Sequence, residues 1–164
     1  MENLKLSFGL IILFGLMIVS CKNTTSGKDI SDEVIKKVIQ NYGTGEKSRE
    51  FTLVNGEIDG EMLEYYNTGN IKSTSFFKSG KQDGKTTIYY DGGGIKEVQY
   101  YTNGLRQQGD TIFYEDGTLR YVTEFKDNLK HGYQRIWDEG GNLIDEARYD
   151  MDKLVEVNGK SVIK

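Results

Sequence analysis

Proline is absent from this 164-residue chain, and cysteine, histidine and tryptophan each occur once. Without proline no strand ladder need be interrupted, and any run of turns must be built by other residues. A single cysteine rules out an intramolecular disulfide, so the fold rests on packing and hydrogen bonding alone. One histidine and one cysteine cannot assemble a transition-metal cluster. Basic residues are not in excess either: 21 Lys and Arg stand against 25 Asp and Glu, which removes the electrostatic footprint expected of a nucleic-acid binder. What the chain does have is 20 Gly, 11 Tyr and 7 Phe, a composition suited to a string of β-hairpins.

The first segment carries a compartment signal. After Lys5, residues 6–19 are almost wholly apolar, broken only by Ser7, Gly9 and Gly15. The run is too short for a confident membrane-spanning helix, which needs about 20 apolar residues, and it fits the apolar region of a secretory signal. It ends in Ile18-Val19-Ser20-Cys21, which resembles the lipobox of bacterial lipoproteins. The resemblance implies a signal peptide over residues 1–20, cleavage before Cys21, diacylglycerol on its thiol and further acylation of the new amino terminus. Two or more acyl chains anchor a protein stably. The expected location is the cell envelope, with the outer membrane or cell surface favoured because Lys22, not Asp, follows the cysteine. Residues 21–32 then read as lipidated cysteine and polar tether.

From residue 33 to 164 the chain repeats every 24 residues. Gly69, Gly93, Gly117 and Gly141 form one column, followed two residues later by Ile71, Ile95, Leu119 and Leu143. Phe77, Tyr101, Phe125 and Tyr149 form another, and Tyr65, Tyr89, Phe113 and Trp137 an earlier one. Gly60, Gly84 and Gly132 keep the interval, but the third unit has Gln108 there and Gly109 one step late, which reads as a local β-bulge. Tyr42, Gly45, Leu53 and Gly56 extend the pattern upstream, giving about five units. Each holds two strand-length runs separated by turn signals, so the expected fold is all-β: an antiparallel meander of repeated hairpins in one elongated, twisted sheet. Residues 30–39 could instead begin as an amphipathic helix, although the repeat phase favours a strand for their second half.

A two-residue turn at Thr68-Gly69 would pair Tyr66 with Ile71 and Tyr65 with Lys72; another at Ser79-Gly80 would pair Ile71 with Ile88. Alternation then sends Tyr66, Ile71, Phe77, Ile88, Tyr90, Ile95, Tyr101, Ile112, Tyr114, Leu119, Phe125, Ile136, Leu143 and Tyr149 to one apolar core face. The opposite face is expected to carry Tyr65–Lys72, Tyr89–Lys96, Phe113–Arg120 and Trp137–Ile144 as cross-strand pairs. Seven of these residues, Tyr65, Lys72, Tyr89, Lys96, Phe113, Arg120 and Trp137, make the candidate binding face, either a ridged recognition surface or simply a solvated sheet face.

The segment Phe125-Lys126-Asp127-Asn128-Leu129-Lys130-His131-Gly132 resembles the aromatic–Lys–Asn–Gly–Lys–x–His–Gly stretch of MORN (membrane occupation and recognition nexus) repeats. Phe77-Lys78-Ser79-Gly80-Lys81-Gln82-Asp83-Gly84 is a second copy. The Tyr-Tyr-x-x-Gly-x-Ile-Lys stretches between are similar to the bacterial variant often labelled a YwqK-type antitoxin. The resemblance implies hairpin arrays that bind proteins or lipid surfaces, with toxin neutralisation as one setting. Asn128 in place of a turn glycine and the displaced Gly109 depart from the pattern, and they put the regularity of the third unit in question.

No catalytic constellation is legible. His131 falls in a column with Gln107, Asp83 and Asp59, which marks a turn residue rather than a base. Asp91-Gly92-Gly93-Gly94 offers one carboxylate, too few for calcium, and lacks the Lys-Ser/Thr of a phosphate loop. No cofactor and no metal are expected. Two function classes fit: a membrane-tethered, non-catalytic protein-binding scaffold, and a cell-wall or carbohydrate-binding module in which exposed rings stack on glycan. A single tryptophan favours the first. An enzyme completed by a partner's residues has nothing in the sequence to support it. If Cys21 is the lipid site, Cys21→Ala will abolish fatty-acid incorporation in metabolic labelling and leave unlipidated precursor; an unlabelled wild-type chain would overturn the lipoprotein reading.

Overall fold

The computed structural model describes residues 33–162; Cys21 and the segments read as signal and tether lie outside them. The described chain forms fourteen strands in one open antiparallel sheet. The main strands run in sequence order: β1 Ile35–Asn41, β2 Lys47–Val54, β4 Gly60–Tyr65, β5 Ile71–Lys78, β7 Gly84–Tyr90, β8 Gly93–Thr102, β9 Leu105–Phe113, β10 Leu119–Lys126, β11 Leu129–Trp137, β12 Leu143–Asp150 and β13 Lys153–Val157. Short β3 Glu57–Ile58, β6 Lys81–Gln82 and β14 Lys160–Ser161 complete it. The hairpin meander is therefore the fold, and residues 35–41, which take in the second half of the ambiguous stretch, are strand.

The two edges of the sheet turn differently. At one edge the two-residue turn is as expected: Lys78 pairs with Lys81, and Ser79 and Gly80 have φ of 46° and 75°, a type I′ turn. At the other edge the expected two-residue turn gives way to a three-residue loop. Gly69 N–H donates to Tyr66 O and Tyr66 N–H to Asn70 O, with Gly69 at φ 90°. That is a type I turn closed by a glycine in the left-handed region, and Gly117 and Gly141 close their turns in the same way. In the second unit Tyr90 pairs with Gly93 instead, so Asp91 and Gly92 alone form the turn, although Gly93 keeps a φ of 90°. A one-residue bulge follows, so Tyr65 pairs with Ile71 while Glu64 pairs with Ser73.

That bulge overturns part of the facial assignment. Because paired residues share a face, Ile71, Ile95, Leu119 and Leu143 lie across from Tyr65, Tyr89, Phe113 and Trp137, and not with Phe77. The anticipated Tyr65–Lys72 pairing and its repeats do not form. Ile88 pairs with Ser73 rather than Ile71, since two extra residues are taken up around Asp83 and Gly84. An even insertion preserves parity, so Phe77, Ile88, Tyr101, Ile112, Phe125, Ile136 and Tyr149 do stay on one face.

The third unit is regular after all. Gln108 pairs with Phe125 as Gly60 pairs with Phe77, Gly84 with Tyr101 and Gly132 with Tyr149. Gln108 adopts φ 60°, matching the positive φ of Gly60, Gly84 and Gly132. The side chain is tolerated because the backbone, and not the residue type, keeps the register; Gly109 is not the displaced equivalent. Asn128 likewise takes φ 70° in its turn.

Among the described residues no second layer covers the sheet, and their buried centre is small and mostly polar. Phe51, Ser75, Gln99, Thr123 and Ala147 form a 24-residue column with exposures of 9, 4, 9, 2 and 7%. Beside it the aromatic column is half-buried under cationic stems from neighbouring strands: Arg106 lies 5.9 Å from the Tyr101 ring and 5.0 Å from Phe125, and Lys130 lies 4.8 Å from Tyr149. Long basic side chains thus do locally what a packed helix would do elsewhere.

Side-chain rungs tie each unit to the next. Tyr42 Oη donates to Tyr65 O, Tyr66 to Tyr89 O, Tyr90 to Phe113 O and Tyr114 to Trp137 O, at 2.5, 2.7, 2.6 and 2.9 Å. At the opposite edge Gly80, Gly104, Asn128 and Asp152 donate backbone N–H groups to Ile58, Gln82, Arg106 and Lys130 carbonyls. Two outcomes are expected from urea unfolding. Tyr90→Phe, which deletes one rung and keeps the ring, costs about 1 kcal/mol. Gln108→Gly, which relieves a left-handed φ on a side-chain-bearing residue, stabilises by roughly 0.5–1 kcal/mol.

Candidate functional site

The three-residue turns place two surfaces side by side. On the sheet face, the paired columns form a stripe of aromatic–aliphatic partners: Tyr65–Ile71, Tyr89–Ile95, Phe113–Leu119 and Trp137–Leu143. The rings are half-buried, while Ile71, Ile95, Leu119 and Leu143 keep exposures of 43, 42, 39 and 51%, and Ile144 reaches 61%. Apolar surface repeated in this way along an uncovered face is a feature of contact surfaces.

The cations expected beside that stripe have moved to the turn edge. Lys96 lies 5.7 Å from the Tyr90 ring and Arg120 5.5 Å from Tyr114; Lys72 lines a recess with Tyr42 and Tyr66. Tyr65 instead takes Lys47 over its ring at 5.0 Å, with its hydroxyl 3.4 Å from Glu50. The bulge is the cause: it advances the basic residue past the first aromatic and sets it against the second. So Tyr65, Tyr89, Phe113 and Trp137 stay together on one face, and Lys72, Lys96 and Arg120 belong with the ladder tyrosines, which the sequence reading had counted as core.

His131 belongs to a column of turn-capping residues. In its column Asp59 accepts the Ser79 N–H at 2.9 Å, Asp83 accepts that of Asn103 at 3.0 Å, and Gln107 Oε1 accepts that of Asp127 at 3.3 Å. These residues cap the next turn. His131 is exposed, with Nδ1 3.2 Å from Asp150.

One acidic cluster escaped the sequence reading. Asp110, 8% exposed, accepts from Arg106 at 3.0 Å; Arg106 also donates to Tyr101 Oη, Tyr101 to Gln99, and Gln99 to Glu97. Burial, reinforced by the charge of Glu97 and opposed by Arg106, pushes the Asp110 carboxyl up to about 6. Glu50, by contrast, is pulled down to about 2 by hydrogen bonds from Lys37 and Lys47. A carboxyl whose pKa is raised by folding holds its proton more tightly in the folded state. Its contribution therefore falls as pH climbs from about 4 to 6 and is level above that. Glu50 acts only at lower pH, with the opposite sign. Asp110→Asn is expected to flatten the loss of stability between pH about 4 and 6, read from urea midpoints.

Among curated proteins, none matches this chain. Residues 58–79 match the MORN repeat variant. The matched stretch is the β4–β5 hairpin with its flanking turn residues, and hairpins with the same columns and register follow it along the sheet, so the chain carries a MORN repeat variant within an all-β repeat sheet.

Proposed function

We propose that this protein is a non-catalytic binding scaffold, held at a membrane of the cell envelope through lipid on Cys21, whose sheet face docks a protein partner. The observation that carries the docking face is the uncovered stripe of four aromatic–aliphatic pairs in 24-residue phase. Aromatic anchors ringed by aliphatic surface are the residue types that concentrate binding energy, and a rigid hydrogen-bonded sheet presents them with little ordering cost. The hairpin repeats are in keeping with a scaffold of this kind. Sequestration of a toxin, as in an antitoxin, is the specific role that the sequence resemblance favours. No cofactor or covalent step is part of this reading.

The test uses the full chain in native envelope. A photo-crosslinking amino acid at Leu143, on the stripe, should give a discrete protein adduct, and one at Asp152, in a turn on the opposite edge, should not. Adding Phe113→Ala and Ile95→Glu should abolish the Leu143 adduct while circular dichroism stays that of a sheet. Equal adducts from both positions, or none from Leu143, would remove this face as the docking surface.

A further inference from the structure

Two recesses at the three-residue-turn edge are one site used twice. One, of about 540 Å³, is lined by Tyr90, Tyr114 and Arg120 together with Glu115, Asp116 and Glu139. The other, of about 410 Å³, is lined by Tyr42, Tyr66 and Lys72 together with Gly43, Thr44 and Asn67. Adding 48 to the numbers of Tyr42, Tyr66 and Lys72 gives Tyr90, Tyr114 and Arg120, two repeats further on. In the unit between, turn-to-turn hydrogen bonds join the neighbouring tips, with Thr68 Oγ1 donating to Asp91 Oδ1 at 2.5 Å and Asn70 Nδ2 to Asp91 O at 2.8 Å. The recess there is smaller, about 240 Å³, and is lined by Tyr89 and Tyr90 with Asn70, Ile71, Gly92 and Gly93.

The chemistry of these recesses narrows what they can hold. All four tyrosine hydroxyls are spent on the next unit's carbonyls, which fixes the side chains. In the larger recess Lys96 and Arg120 already lie against the Tyr90 and Tyr114 rings, and the ring surface they do not cover is the tyrosines' contribution. Each recess adds one cation. The larger one sets three carboxylates beside Arg120, and the Asp116 carboxyl is held below its usual range by the Thr118 amide and hydroxyl, so it stays ionised. A polyanion would be repelled there, and a polycation would meet Arg120 and Lys72. Rings for stacking, with a cation and carboxylates or amides as hydrogen-bonding groups, suit an uncharged ligand that has apolar C–H faces and many hydroxyls. The recesses are two hairpins apart, about 19 Å at the usual strand spacing. That distance calls for a linear oligomer, beyond the reach of a single sugar.

We infer that this turn edge binds a linear, uncharged glycan, lying along the tyrosine ladder and engaging both recesses. The site is separate from the aromatic–aliphatic stripe and does not depend on a protein partner docking there.

The full chain in detergent micelles, titrated calorimetrically with chitohexaose, cellohexaose and the matching disaccharides, tests this. At least one hexasaccharide should bind, at least tenfold more tightly than its disaccharide, because the second recess is filled intramolecularly. Lys72→Gln with Arg120→Gln should weaken that binding at least about tenfold, through the loss of charge-assisted hydrogen bonds, with an unchanged circular dichroism spectrum, and Leu143→Glu on the stripe should leave it unaltered. The inference is overturned if neither hexasaccharide binds, if hexasaccharide and disaccharide bind alike, if the double variant binds like the wild type, or if raised salt abolishes binding. Loss of glycan binding in Leu143→Glu would overturn the separate site and assign the glycan to the stripe.

Discussion

A sheet one layer thick must hold its strands in place without burying a face against a second layer, and here the hydrogen bond between successive repeats takes that role. Three hydrophobic residues, Phe51, Ala147 and Val155, are buried among the described residues, far short of an ordinary core. In its place stand the strand ladders, the tyrosine rungs along one edge and the backbone rungs along the other. A neutral hydrogen bond contributes only about 1 kcal/mol net, so no single rung dominates. Their effect lies in repetition, each unit fixing the position of the next.

The same arrangement decides where recognition can occur. Tyrosines whose hydroxyls are already engaged hold their rings steady, and cations drawn against those rings keep their stems on the surface. The turn edge thereby becomes furrowed, while the first aromatic of each pair turns to the sheet face with an aliphatic partner. The bulge after each of these turns separates the two surfaces. Without it, Lys72, Lys96 and Arg120 would face Tyr65, Tyr89 and Phe113, and a single mixed surface would replace the apolar stripe and the polar furrow.

Periodicity made the architecture legible. Columns of glycine and aromatics at 24-residue steps are enough to place hairpins, because turn geometry demands glycine-like φ at fixed points. The type I′ turn at Ser79-Gly80 could be read directly. The other turn could not, since Thr68-Gly69 is compatible with a two-residue or a three-residue loop, and a one-residue difference reverses a strand's facing. The central buried column was hidden for another reason: Phe51, Ser75, Gln99, Thr123 and Ala147 share a place but no chemistry. Gln108 shows the converse, a position whose backbone is conserved in shape although its residue is not glycine. The clustering of Asp110 with Arg106 and Glu97 depends on register and was equally out of reach.

The polar character of the interior also shapes how the molecule responds to temperature. The heat-capacity change of unfolding arises from apolar surface newly exposed to water, offset by polar exposure, and averages about 12–15 cal/mol/K per residue in globular proteins. A sheet that buries Ser73, Ser75, Thr86, Thr87, Gln99, Asp110 and Thr123 beside only Phe51, Ala147 and Val155 among the described residues has less apolar surface to release and more polar surface to hydrate. Its heat-capacity increment per residue falls below that range, its stability curve is correspondingly broad and shallow, and cooling weakens it less than it weakens a protein assembled around an oily centre.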